Sequence, residues 1–381
     1  MSKIRLIAGV LGAILGLWLL MGFPCLAEEL SPPMLLNHQQ LEQFLDGFFA
    51  EQMKQQHVPG AALVIVKDGE ILLSKGYGYA NLEKQTPVSP SQTLWRMGSV
   101  SKLLTATAVM QLVEQGKLNL NGDISQYLKD FPIPNTYPQP ITGANLLTHT
   151  DGFDFGWGIG VLAPSPAELK PLGEFLRSNQ RPRLLPPGEI YLYGNVGISL
   201  AGYLVEKISG LPFAQYIDTN ILQPLNMRQS TFEQPLPPLL AKDLAVGYES
   251  ENGQFKPRPF AYYQSPPTGA FTATATDMSH FMMAHLQHGR YGEQQILQEA
   301  TVREMHRQQF THHPLMPGSA YGFYEHFVNG QRALEHSGRM NGYNSLLMLV
   351  PQQNLGVFLA YNNNGGRLIR EFTEAFFDRY S

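Results

Sequence analysis

Ser99 and Lys102 are the residues of this chain whose types and spacing best suit catalysis. They stand three apart in WRMGSVSKLLTATAVMQLVEQG, residues 95–116. From Val100 on, the run reads as a helix that Gly116 ends. Its apolar positions (Val100, Leu103, Leu104, Ala106, Val109, Met110, Leu112, Val113) cover nearly every side, so the helix is expected to be buried. A lysine three residues after a serine shares its helix face. Burial favours the neutral amine, and a neutral amine can take the proton of a hydroxyl. Ser99 is then a candidate nucleophile on the first turn, where its own N–H is free to help bind an oxyanion. Ser-x-x-Lys also arises about once or twice by chance in a chain of this length. Standing alone, the motif reads better as an N-cap serine and a solvated first-turn lysine; its companions further along the chain shift that reading.

Such a pair needs a second proton-transfer group, oxyanion donors and a hold on the substrate. Tyr193-Gly194-Asn195 offers the first, in the loop PPGEIYLYGN that feeds the apolar run VGISLAG. A tyrosine near a lysine cation could ionise in part, and the asparagine amide could bind substrate or lysine. Tyr-x-Asn recurs at Tyr79 and Tyr361, so the loop-before-helix context selects Tyr193, not the spacing. His336-Ser337-Gly338 lies at the end of an expected strand. Its edge could pair with an extended substrate and supply the other oxyanion N–H, and a protonated His336 could hold a carboxylate. Lys67-Asp68-Gly69 reads as a plain hairpin turn. Gly-x-Ser-x-Gly, His-Glu-x-x-His and cysteine clusters are all missing from the sequence, which removes the motifs of nucleophile-elbow hydrolases and zinc enzymes. His280, His285 and His288, and likewise His306, His312 and His313, read as surface histidines.

These groups must be positioned by a chain of 381 residues with net charge −4 and no Lys/Arg run, which argues against a nucleic-acid partner. Lys3 and Arg5 form a positive n-region and Ile4 to Phe23 is almost wholly apolar, so residues 1–27 read as a signal peptide or N-terminal anchor, with cleavage expected after Ala27. The rest is expected to be exported across the cytoplasmic membrane, touching it only through residues 4–23 if the segment stays. Cys25 is the single cysteine, so the exported part holds no internal disulfide, and Pro24 disfavours lipid attachment there.

After a linker at 28–37, an amphipathic helix is expected over 38–57, a strand over 61–66, a turn at 67–70 and a return strand over 71–79. Asp123 to Gln126 reads as a capping box, 131–140 as irregular, and 152–160 as a glycine-rich loop. Helices are expected at 144–149, 196–209, 213–222 and 276–289, with little strand between 117 and 265. Strands follow at 321–327, 331–336, 343–350 and 355–361, then a closing helix at 367–380. Hairpins at both ends with helices between predict an α+β fold, one antiparallel sheet built from both termini with a helical insertion.

In order, WRMGSVSK, LLTHTDGF, PPGEIYLYGN, PTGAFTATATDMSHF and EHSGRMNGYNSLLMLVP make the chain resemble the penicillin-recognising serine hydrolases, within them the class C β-lactamase type. The resemblance covers roughly 38–380. It implies a β-lactamase/transpeptidase-like α/β sandwich over 38–381, with 38–116 and 266–381 as the α/β part and 117–265 as the insertion. It makes Ser99 the acylated nucleophile, Lys102 its base and Tyr193 a proton relay. Asn195, His336 and Gly338 would bind substrate, and the N–H groups of Ser99 and Arg339 would bind the oxyanion. No metal or cofactor is implied. Gly194 departs mildly from the usual Tyr-x-Asn. His336 in place of lysine points away from efficient β-lactamase activity, towards an exported hydrolase of esters or amides such as D-amino-acid peptides of the cell wall. An esterase or lipase-like enzyme, and a penicillin or wall-peptide sensor that acylates without turnover, are the competing implications. The expected pH profile is a bell shared by Lys102, Tyr193 and His336.

Overall fold

The computed structural model describes residues 37–134, 136–154, 161–365 and 367–380, all within the unit Met34–Ser381. The expected export segment, Cys25 and residues 155–160 lie outside the described residues. In chain order the elements that build the site are helix α1 (His38–Gln55), strands β1 (Gly60–Lys67), β2 (Glu70–Asn81), β3 (Thr86–Pro87) and β4 (Leu94–Arg96), and helices α2 (Ser101–Glu114), α3 (Gly143–Leu147) and α4 (Val196–Ser209). Then come β5 (Thr272–Thr274), α5 (Ala275–Leu286), α6 (Glu299–His306), β6 (Tyr324–Val328), β7 (Gln331–Met340), β8 (Tyr343–Val350), β9 (Leu355–Tyr361) and α7 (Leu368–Tyr380).

Seven strands form one antiparallel sheet in the order β6-β7-β8-β9-β1-β2-β3, so both ends of the chain meet at the β9–β1 seam. There Ala61 pairs with Tyr361 and Lys67 with Leu355. Strand β1 is buried on both faces, which is why it reads as an unbroken apolar run. Leu63 and Ile65 face a core built with Leu41, Leu45, Phe372 and Phe376 of α1 and α7. Ala62, Val64 and Val66 face the opposite core, shared with α2 and α5. Asp68 (φ 54°) and Gly69 (φ 84°) make the tight β1–β2 turn, where two successive left-handed residues suit the sheet twist.

Helix α2 is enclosed from Ser101 to Leu112, as its composition requires, and its buried polar groups find partners inside the protein except Gln111 Oε1, which has none among the described residues. Thr105 Oγ1 donates to Pro267 O at 2.7 Å, and Gln111 Nε2 donates to Asn220 O and Ile296 O at 3.0 Å each. Among the described residues no helix is long and apolar enough to cross a membrane.

Several expectations are corrected. Strand β7 does not stop at His336 but continues to Met340, which carries Gly338 and Arg339 along the sheet. The expected helix at 213–222 is a short α-helix, Phe213–Ile217, followed by a π-helical turn, Asp218–Leu222. The stretch 117–265 contains small two-stranded pairs, Tyr248–Glu251 with Gln254–Pro257 among them. Asp123 accepts from Ser125 N and opens a 3-10 turn, whereas the reciprocal capping box is Thr142 with Asn145.

Candidate active site

Ser99 sits not on the α-helix but in the 3-10 turn Gly98–Val100, between β4 and α2. Two strands clamp that turn. Ser345 Oγ of β8 donates to Met97 O at 2.8 Å. Gly98 (φ 53°) rests on β7 so closely that an added Cβ would lie 2.8 Å from Arg339 N. The second serine of the motif pins the turn from inside, since Ser101 Oγ donates to Gly98 O at 2.6 Å and accepts from Phe271 N–H at 3.1 Å.

Lys102 is fully buried, with its Nζ 3.0 Å from Ser99 Oγ and 2.9 Å from Thr268 O. No carboxylate pairs with it among the described residues, and burial pulls its pKa down to about 7. As an ammonium it donates to both oxygens. As a free amine it keeps the bond to Thr268 O and turns its lone pair towards the Ser99 hydroxyl. Asn195 makes no hydrogen bond to Lys102; it instead lines a cleft of about 350 Å³ with Leu162, Tyr263, Arg339, Met340 and Asn364.

Tyr193 lies across the nucleophile, its hydroxyl donating to Ser99 Oγ at 2.8 Å. The phenol is not poised to ionise, as the sequence suggested. Burial pushes its pKa up to about 12, with the hydrogen bonds to Ser99 and Tyr324 only partly offsetting this. His149, Tyr324 and His336 surround it with ring centroids at 4.6, 6.2 and 6.2 Å, and none of them carries a formal charge at neutral pH.

His336 points to the same side but is buried, and burial, then the Lys102 charge, depresses its pKa to about 3. A cationic clamp for a carboxylate is therefore not what the structure places there. His336 Nδ1 donates to Ser337 O at 2.7 Å, and Nε2 is a buried acceptor without a partner among the described residues. Gly338 is squeezed against the nucleophile turn, where an added Cβ would lie 1.9 Å from Met97 O. Strand β6 pairs with β7 only as far as Glu335, so from His336 to Met340 β7 has β8 on one side and an open edge on the other. Ladder alternation from the two-residue turn Asn341-Gly342, with Met340 opposite Tyr343, aims the Arg339 N–H at that edge.

The structure thus brings Lys102 Nζ and the Tyr193 hydroxyl within hydrogen-bond distance of Ser99 Oγ and lays Arg339 N against Gly98, the residue before the nucleophile. Three neighbours escaped the sequence reading: Thr268, acting through its carbonyl, and the side chains of His149 and Tyr324. A carbonyl leaves no trace in residue type, and the motif LLTHTDGF was the available signal for His149. The surface reading of the histidine groups is corrected in part: His285 is buried and His306 half-buried, with Nδ1 of the first 3.1 Å from Nε2 of the second, while His288, His312 and His313 are exposed. Among the described residues no group of three or more metal-ligating side chains converges.

The sequence pattern of the β-lactamase family matches residues 45–375. Protein flp of Staphylococcus aureus (strain N315) is 27% identical over 335 residues, which cover 85% of this chain and 63% of that protein. The putative penicillin-binding protein PbpX of Bacillus subtilis (strain 168) is 33% identical over 207 residues, 53% of this chain and 48% of that one. The chain therefore spans less than two thirds of the length of these curated relatives. Among solved structures, the octameric penicillin-binding protein homologue from Pyrococcus abyssi superposes with a TM-score of 0.74 at 26% identity, covering 90% of this chain and 78% of its own.

Proposed function

This chain belongs to the β-lactamase family, and on that premise we propose that it is a serine hydrolase that cleaves an ester or amide through an acyl-enzyme on Ser99. One observation carries the reading: Ser99 Oγ lies 3.0 Å from a buried lysine Nζ and 2.8 Å from a phenol. Neutral Lys102 takes the hydroxyl proton as Oγ attacks the carbonyl carbon. The N–H groups of Ser99 and Arg339 hold the oxyanion. Tyr193 gives its proton to the departing alkoxide or amine, and the Lys102 ammonium returns one to the phenolate. Water then repeats the sequence on the acyl-enzyme, with Lys102 again receiving the proton.

The open β7 edge and Asn195 on the cleft wall suit an extended substrate rich in amide groups. A short peptide of D-amino acids fits that description; a simple ester is the competing substrate. The almost wholly apolar run Ile4–Phe23, with Lys3 and Arg5 at its front, supports action outside the cytoplasmic membrane.

Intact mass after brief exposure to a fluorophosphonate or a penicillin, on the wild type and on Ser99→Ala, tests the acyl-enzyme. Penicillin labelling that forms on the wild type and is released supports a hydrolase, while a penicillin adduct that never leaves supports a sensor. Labelling of Ser99→Ala, or none of the wild type, refutes the assignment. Turnover of short p-nitrophenyl esters against D-Ala-D-Ala peptides then separates the two substrate classes.

A further inference from the structure

We propose that His149 is the residue that positions the Tyr193 phenol, gripping the chain on both sides of it with its carbonyl oxygen and its ring Nδ1. The proposal rests on the reading of Tyr193 as the proton donor at Ser99. The Leu192 N–H donates to His149 O at 2.8 Å, and the Gly194 N–H donates to His149 Nδ1 at 3.3 Å. Tyr193 is the residue between them, so its Cα cannot slide without breaking one of the two bonds. The imidazole also packs against the phenol, with centroids 4.6 Å apart and the rings tilted by 54°. Tyr191 and Tyr324 close the remaining sides of the imidazole at 5.9 and 6.4 Å.

His149 holds this place in a left-handed conformation, φ 55°. Few residues other than glycine adopt it, and it persists where the surroundings over-determine it. Here they do. Thr150 O accepts from Gly188 N–H at 2.8 Å, and Gly152 O accepts from Leu184 N–H at 2.8 Å and Leu185 N–H at 3.2 Å. Residues 149–152 are thus a template on which the loop 184–194 is laid. Burial, then the charge of Lys102, keeps the imidazole neutral, so Nδ1 remains an acceptor for Gly194. His149 makes no hydrogen bond to Ser99, and its effect passes through Tyr193.

The test uses the full chain with His149→Asn, His149→Gly, Tyr193→Phe and the two double variants. Kinetic constants for an ester and fluorophosphonate labelling rates are read, with a thermal midpoint for each. Asparagine and glycine both accept a left-handed backbone, but only asparagine offers an oxygen near the place of Nδ1. A phenol displaced by an ångström leaves its transition-state position, so His149→Gly is expected to lower kcat about 100-fold while KM moves about 3-fold or less. His149→Asn should recover most of that loss. In the Tyr193→Phe background, His149→Gly should cost only about 3-fold more, because the group it positions is gone.

Equal damage from asparagine and glycine overturns the proposal, and so does a full-sized effect of His149→Gly on top of a costly Tyr193→Phe. Either result leaves the role of Tyr193 standing. If Tyr193→Phe alone costs nothing, the reading of Tyr193 falls and the proposal falls with it. A purely architectural histidine would lower the thermal midpoint without separating kcat from KM. Should His149→Gly fail to fold, His149→Leu, which fills the space without an acceptor, takes its place.

Discussion

Between about pH 4 and 10, only one of the three groups expected to shape the activity profile changes charge. Burial holds His336 near 3 and Tyr193 near 12, leaving Lys102 near 7. The bell expected from the sequence, with three coupled groups, becomes a single rising limb: acylation increases as Lys102 loses its proton and then levels off. Second-order labelling rates by a fluorophosphonate from pH 5 to 9 check this, and a falling limb inside that range would refute it. The same burial has a thermodynamic sign. A lysine whose folded pKa is depressed destabilises the fold fully below about pH 7, and the cost fades as pH rises towards 10.5. Lys102→Met should therefore slow acylation by about 10²–10⁴-fold, the usual contribution of a general base. At neutral pH it should also raise stability in urea titrations, by about 1–3 kcal/mol, because an unpaired buried ammonium is replaced by an apolar chain. A loss of stability would show that the contacts to Thr268 and Ser99 outweigh the burial of the charge.

The elements that carry the site were legible wherever periodicity or an apolar run marked them. Strands 343–350 and 355–361 and helix 196–209 fall where the pattern puts them, because each is bounded by a turn or a glycine and packs a defined face. Strand β7 was cut short at His336 because Ser337-Gly338 reads as a turn. In the structure Gly338 continues the strand, and its missing side chain is what lets β7 approach the nucleophile turn. The small strand pairs between 117 and 265 were invisible because each is too short to show an alternation. The contacts of Lys102 with Thr268 O and of His149 with the turn 192–194 depend on main-chain groups brought together from distant segments, which no local pattern encodes. One prediction belongs to this scale. In Gly338→Ala the new Cβ would lie 1.9 Å from Met97 O and 2.5 Å from Ser345 Oγ, so β7 and the Ser99 turn must separate. Stability is expected to fall by about 1–3 kcal/mol in urea titrations, the usual cost of overpacking. Acylation should fall as well, since Arg339 N moves with the strand. Unchanged labelling at reduced stability would detach the strand from the chemistry.

Taken whole, the described molecule is a sheet closed by both chain ends between two apolar cores, and it buries histidines that a surface reading misplaced. His285 and His306 form a chain of fixed proton positions: Thr107 Oγ1 donates to Leu103 O, so it must accept from His285 Nε2, 3.3 Å away. His285 Nδ1 must then accept from His306 Nε2 at 3.1 Å. A proton added to His285 Nδ1 would set two donors against each other. Burial lowers the pKa of His285 to about 3 and, with neighbouring charges, holds His149 and His306 well below the ordinary value, while His336 lies near 3. The unfolded chain binds protons at these sites below about pH 6.5, whereas the fold does not, so stability must fall as pH drops. By pH 5 the loss approaches about 2 kcal/mol for each histidine that stays neutral. Asp151 works in the opposite direction. Its buried carboxyl has a pKa raised to about 7, so the fold takes up a proton there and regains stability between pH 7 and 4. Glu206 and Asp277, also raised by burial, and His326, raised by Glu335, act with Asp151, while the lowered His280 acts with the other imidazoles. Asp151 is the carboxyl shifted as far as about 7, so the five lowered histidines leave a net loss. Urea midpoints should therefore decline from pH 7.5 to 5, and His285→Leu should flatten the decline, because the unfolded state then gains one proton fewer and His306 loses its acceptor. A midpoint that stays level over that range, with the wild-type chain folded throughout, would mean that these imidazoles accept protons inside the fold.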